Sequence, residues 1–170
     1  MQKVLQGLRV LEIGGLGPGP FCAMHLADLG ADVISLVRPG GSGGPAITGD
    51  LLNRGKRSVF ANLKSPEGRD LALQLVRNAD VLIEGMRPGG MERLGLGPAE
   101  CHAVNPALVY GRMTGWGQHG PLAHTAGHDA NYAALSGAMW GCSPADARPV
   151  PPFGVLGDIG GGALYLMTGL

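Results

Sequence analysis

The chain has little cysteine, few aromatic side chains, no excess of either charge and no long apolar run, and each shortage removes a class of function. Cys22, Cys101 and Cys142 are odd in number and far apart, with no CxxC pair, so neither a disulfide framework nor a zinc knuckle is indicated. A reducing compartment fits that usage best. Aromatic residues make up 5% of the chain, a low share for a protein that stacks nucleic-acid bases. Lysine and arginine number 13 against 13 acidic residues, which leaves no basic field for nucleic acid and no acidic tail for a basic partner. No segment approaches the roughly 20 apolar residues of a membrane span. The opening Met1 to Gln6 lacks the apolar core of a secretory signal. The expectation is a soluble, cytoplasmic protein with no nucleic-acid or membrane partner.

What is abundant is glycine, 31 residues with 13 prolines beside it, in short clusters between apolar segments. Without a repeat, such clusters read as turns and close backbone approaches. With 45% apolar residues in a length of 170, the chain can bury the core of one domain. Apolar runs of strand length alternate with helix-length patterns, which predicts an α/β fold with a mostly parallel sheet. Strands are expected at 9–13, 32–37, 58–62, 81–84 and 108–113. Helices are expected at 21–29, 66–78, 91–94, 98–104 and 129–139, and from 158 onward; Ser65 is the cap and Pro66 the first residue of the second. Residues 38–45 read as a loop. Right-handed crossovers then give a Rossmann-like sheet with helices on both faces, in one domain over 1–170. The chain stops inside 162–170, an apolar helix-like stretch without a stop signal, and is expected to be a fragment of a longer protein.

The turn Gly14-Gly15-Leu16-Gly17-Pro18-Gly19-Pro20 between the first strand and first helix invites a phosphate-cradle reading. The GxGxxG fingerprint fails: from Gly15 the last glycine position holds Pro20, and from Gly17 it holds Cys22. Pro18 and Pro20 also lack the N–H groups a pyrophosphate needs. A tight turn that lets helix and strand pack closely is the preferred reading, with phosphate binding second. The second strand ends in Arg38, where an NAD site carries an acidic residue. A guanidinium there suits a ribose phosphate, as in NADP or coenzyme A, and the broken fingerprint favours CoA.

Two segments could carry chemistry: Ala126-Gly127-His128-Asp129-Ala130-Asn131-Tyr132, and Gly157-Asp158 followed by Gly160, Gly161 and Gly162. Asp158 has a plain alternative as a helix N-cap, and His128 as a loop residue bonding locally. Three glycines behind a cap are odd on that view, since each weakens a helix by about 1 kcal/mol against alanine. Should the two converge, a histidine and a carboxyl raised by burial would exchange protons near neutrality, facing opposite sides of one carbon. The glycine-rich helix start could offer N–H donors to a developing oxyanion.

Several stretches together resemble the α-methylacyl-CoA racemases of the class III CoA-transferase superfamily. They are Gly7 to Glu12, Gly17 to Met24, Leu26 to Val33, Arg54 to Ser58, Arg93 to Pro98, Tyr110 to Gln118, Gly127-His128-Asp129 and Gly157-Asp158. The resemblance covers essentially the whole chain. It implies that His128 and Asp158 are the two acid–base groups acting on the α-carbon of a 2-methylacyl-CoA, His128 on the face of the S isomer and Asp158 on that of the R isomer, through an enolate. No metal and no prosthetic cofactor is implied; the CoA moiety is bound as part of the acyl-CoA substrate. CoA contacts carry over onto Arg38, the Ala61-Asn62-Leu63-Lys64 strand end, Gly85-Met86-Arg87, Arg93 and the loop Gly127, Asp129, Ala130, Asn131, Tyr132. Arg38, Lys64, Arg87 and Arg93 would be the phosphate partners.

The chain departs from the family pattern at Pro152-Phe153-Gly154-Val155, where racemases have Pro-Leu-Asn-Leu, so Gly154 lacks an amide that helps hold the active-site network. Family members are also longer. The remainder supplies a small domain, a carboxylate that orients the histidine, and the interlocked homodimer that completes the site. Two other readings stand beside this one. A class III CoA-transferase would use Asp158 as nucleophile, through an aspartyl-CoA anhydride; a truncated, non-catalytic module would bind CoA or a partner protein.

Overall fold

A computed structural model describes residues 3–40, 51–152 and 155–170. Gly41 to Pro45 of the expected loop, and Gly154, lie outside the described residues. Five strands form one sheet in the order β3-β2-β1-β4-β5: β1 (Arg9–Ile13), β2 (Asp32–Val37), β3 (Arg57–Phe60), β4 (Val81–Glu84) and β5 (Val109–Arg112). Every pairing is parallel, with Leu11 opposite both Ile34 and Leu82, and Ile83 opposite Gly111. The crossovers are made by α1 (Pro18–Asp28), α2 (Pro66–Arg77), α3 (Gly90–Arg93) and α4 (Pro98–Val104). After β5 come α5 (Asp129–Leu135), α6 (Ala138–Gly141), a π-helix (Leu156–Ala163) and α7 (Leu164–Gly169).

Helices lie on both faces. The strands run apolar because both sides are covered, and alternation divides the side chains between two cores. Leu11, Ile13, Leu36 and Leu82 meet Ala72, Val76, Met91, Leu96 and Cys101 on one face. Val10, Val33, Val81 and Ile83 meet Cys22, Ala23, Leu26 and Ala27 of α1, together with Ala163, on the other. Each large aliphatic buried this way contributes about 1.5–3 kcal/mol. Two buried polar residues share the second face, Ser35 and Glu12, and the Glu12 carboxylate accepts from Lys56 Nζ at 2.7 Å. Lys56 Nζ also donates to the Pro20 carbonyl at 3.0 Å, tying β1 to the first turn of α1.

The second helix begins as expected: Ser65 Oγ accepts from Gly68 N at 3.1 Å and Pro66 occupies the first turn. Strand β3 runs from Arg57 to Phe60 rather than over 58–62, and three helices also depart from expectation. Helix α1 starts at Pro18 rather than residue 21, because first-turn N–H groups have no intrahelical partner and proline there loses nothing. The expected helix 129–139 is two, since Gly137 takes φ 79° and opens α6 in a new direction. The last helix begins at Leu156, not near 158, as a wide turn in which Gly160 N donates to Val155 O at 2.7 Å. Asp158 is therefore inside the helix, and the N-cap alternative is overturned. Added methyl groups on Gly160, Gly161 and Gly162 would stand 3.2, 3.3 and 3.1 Å from the carbonyls of Val155, Leu156 and Gly157, which is why the wide turn is built of glycine.

Among the described residues, no helix is long and apolar enough to cross a membrane.

Candidate active site

The strand order reverses direction between β1 and β4, and parallel sheets open a crevice at the carboxyl ends of strands flanking such a point. A cavity of about 940 Å³ lies there. Its floor is Gly15 to Pro18 from the β1–α1 turn, Gly85 after β4, and Met113 to Trp116 after β5. His128 and Tyr132 line it from α5, and Gly157 and Asp158 from the π-helix. A smaller cavity of about 200 Å³, bordered by Met86, Arg87 and Thr125, shares Gly85, Met113, Gly127 and His128 with the first. The imidazole thus stands where a groove from the sheet edge meets the larger chamber.

Glycine turns bring these pieces together. Gly17 has φ 68°, and a methyl group there would lie 3.8 Å from Asp158 Oδ2, so the β1–α1 turn passes directly by the carboxyl. Gly14 N donates to Leu36 O at 2.9 Å, which holds the turn to the sheet. His128 is the residue before α5; its extended backbone (φ −139°) precedes the helix, and its N–H donates to Asn131 Oδ1 at 2.9 Å. Trp116 and Tyr132 meet edge to face with ring centroids 5.0 Å apart. Gly127 leaves no room for a methyl beside Trp116 Nε1 (2.7 Å) and Tyr132 Cε1 (2.8 Å).

Burial pushes the Asp158 carboxyl above the usual carboxylate range; the charge of Asp129 pushes the same way, and His128 and the backbone N–H interaction with Asp129 oppose it. Asp129 is buried, 6% exposed, and its Oδ2 accepts from the backbone N–H of Gly157 (2.7 Å) and of Asp158 (2.8 Å). Tyr132 is raised by burial first, and then by Asp158 and Asp129. The thiols of Cys22 and Cys101 are pushed up to about 11 by burial, which suits packing rather than nucleophilic work. Among the described residues, no group of three or more His, Cys, Asp or Glu side chains stands together as a metal site.

The other expected contacts fall into three groups. Gly85, Gly127 and Tyr132 line the larger cavity, and Met86 and Arg87 the smaller. Arg38, Lys64 and Arg93 are exposed; the first two follow strands at the same carboxyl edge, and Arg93 ends α3, where its Nη1 packs against Gly89. Ala61 is in the core, Leu63 packs on it, and Asn62 Oδ1 accepts from Lys64 N at 3.2 Å. Asp129 and Asn131 direct their carboxylate and amide at backbone, and Ala130 is exposed on α5. Sequence reasoning assigned nothing to Glu84, yet it organises the edge: its Oε2 accepts from Met86 N at 2.6 Å, and Arg112 stands 3.6 Å from its Oε1. Arg112 in turn bonds Gln118 at 2.7 Å and pairs with Glu92. Burial raises the Glu84 carboxyl. A carboxylate at the end of an otherwise apolar strand was the signal available.

A parallel sheet with a carboxyl and an imidazole bordering one cavity at its switch point defines an α/β protein with a candidate ligand cleft. The chain belongs to the CoA-transferase family III, which it matches over residues 5–170. It is 44% identical to the α-methylacyl-CoA racemase of Mus musculus over 98% of its own length and 42% of that protein's. It is 37% identical to the succinyl-CoA:glutarate CoA-transferase of the same organism, over 99% of its length and 42% of the relative's. The crystal structure of a CAIB/BAIF family protein from Brucella suis superposes with a TM-score of 0.90 at 35% identity, covering 99% of this chain and 48% of that one. The expected class III fold is thereby confirmed. The chain spans about half the length of the curated relatives it matches.

Proposed function

We propose that the chain is the CoA-binding, proton-transfer portion of a 2-methylacyl-CoA racemase or epimerase. The observation that carries this reading is that His128 and Asp158, from separate elements, line one cavity at the switch point. One base removes the α-proton of the thioester, the electron pair passes into the carbonyl as an enolate, and the other group returns a proton to the opposite face. Burial raises the proton affinity of Asp158, the direction that the donor step requires. Arg38, Lys64, Arg87 and Arg93 form no ion pair among the described residues and serve the CoA phosphates. The chain acts as one Rossmann-like unit with CoA held as part of the substrate, and a small domain and an interlocked homodimer complete the site.

Deuterium wash-in at the α-carbon of a 2-methylacyl-CoA tests this. Exchange is expected in the wild type and lost in both His128→Ala and Asp158→Ala; normal exchange in both variants refutes the two-base assignment.

The transferase relatives favour a second reading. In it the Asp158 carboxylate attacks the thioester carbonyl, the CoA thiolate leaves, and an acyl–aspartyl anhydride forms that CoA then attacks at the Asp158 carbonyl. CoA found covalently on Asp158 by mass spectrometry would select that reading.

A further inference from the structure

We infer that Asp129 is the positioning residue for Asp158, its buried carboxylate clamping the backbone at Gly157 and Asp158 against the helix that carries His128. The inference rests on the acid–base reading of the pair. A carboxylate in the first turn of a helix ordinarily serves that helix's own N–H groups. Asp129 does not: Oδ2 accepts from Gly157 N and Asp158 N, residues far along the chain. Oδ1 is buried with no hydrogen-bond partner among the described residues. A buried charge left half satisfied is costly, so Asp129 is a poor choice for stability alone. An alanine there would remove both side-chain hydrogen bonds that join Asp129 to Gly157 and Asp158.

The contact between the two elements is close. A methyl group on Gly157 would stand 3.2 Å from Asp129 O, 3.4 Å from its Cα and 3.1 Å from Tyr132 Cδ2. The backbone of Asp158 therefore cannot drift from α5 without breaking both bonds. The titratable groups around Asp158 are Asp129, His128 and Tyr132, on α5 and the residue before it. Asp129 thus acts in two ways: its bonds aim the Asp158 carboxyl, and its charge adds to burial in raising that carboxyl's proton affinity. An asparagine in its place keeps an acceptor oxygen and removes the charge, which separates these effects.

The first measurements use the unliganded chain and need no substrate. Amide hydrogen exchange at Gly157 and Asp158 should accelerate about 10- to 100-fold in Asp129→Ala, the loss expected for bonds to a charged acceptor. Acceleration should be smaller in Asp129→Asn. In Asp129→Asn the midpoint of Asp158, followed by carboxyl carbon NMR, should fall below the wild-type midpoint. In turnover, the pH profile of α-deuterium exchange should move the same way, with kcat reduced and KM little changed. Unchanged protection at both amides in Asp129→Ala, or an unmoved Asp158 midpoint in Asp129→Asn, overturns the inference. Should Asp129→Ala fail to fold, the wild type decides: Gly157 and Asp158 amides exchanging as fast as unprotected chain refute the clamp. Retained exchange in Asp158→Ala would instead sink the acid–base reading while leaving the clamp measurable.

Discussion

The two ends of the sheet treat the cations that flank their strands differently, Arg112 with its Glu84 and Glu92 partners being the exception at the carboxyl end. At the amino ends of the strands, Arg9 pairs with Asp80 at 2.9 Å and Arg57 with Asp32 at 2.5 Å, so the protein answers its own charges. At the carboxyl ends, Arg38, Lys64 and Arg87 follow β2, β3 and β4 and make no ion pair among the described residues. The amino edge is closed, whereas the carboxyl edge presents cations beside the cavities that hold His128 and Asp158. Apart from Arg112, which pairs with Glu84 and Glu92, the carboxyl-edge cations stand ready for the phosphates of the proposed CoA, whereas the exposed pairs at the other edge form a solvated rim worth little to stability.

The largest effect that could break this contrast is at the acid–base pair. Asp158→Ala is expected to lower α-deuterium exchange by about 10²- to 10⁴-fold while CoA affinity, followed by calorimetry, stays close to wild type. Next comes the buried pair beneath α1. Lys56 and Glu12 have side chains 0% and 2% exposed, so Lys56→Met leaves a buried carboxylate alone and should cost about 3–5 kcal/mol in urea unfolding. Adding Glu12→Gln should recover most of that loss. At the carboxyl edge, Arg38→Ala should weaken CoA about 10- to 100-fold, as loss of a charged phosphate contact implies. Arg57→Ala at the amino edge should leave CoA binding within about twofold. Equal losses in the two variants would erase the distinction between the edges.

The smallest effect is a pH signature. Since burial raises Asp158, the folded state holds its proton more tightly than the unfolded chain. Stability therefore falls as pH rises from the usual carboxylate range through the raised value. Asp158→Asn should unfold at a higher temperature than wild type above that window, with the difference vanishing below it.

Legibility followed the range of the forces involved. Strands β1, β2 and β4 were readable to the residue, because buried parallel strands run apolar and end at glycine or a charge. The start of α2 was readable from Ser65-Pro66. Helix α5 was read too long because an isolated Gly137 in a helical pattern gives no sign that its φ will be positive. The glycines after Asp158 stand out in the sequence, but their cause, a wide turn with carbonyls 3.1–3.3 Å from where methyl groups would be, lies in no local rule. In sequence Asp129 reads as a ligand contact, and its inward turn toward Gly157 depends on a segment that local periodicity cannot bring near.

By itself the sequence determined the alternation of strands and helices, the glycine turn after β1 and the cations that follow β2, β3 and β4, since these depend on local dihedral preference and on which face of an element is apolar. Only the tertiary structure decided that His128 and Asp158 border one cavity and that Asp129 links the segments bearing them. Packing of α5 and the π-helix sets those distances, and such packing is a property of surfaces meeting across the chain.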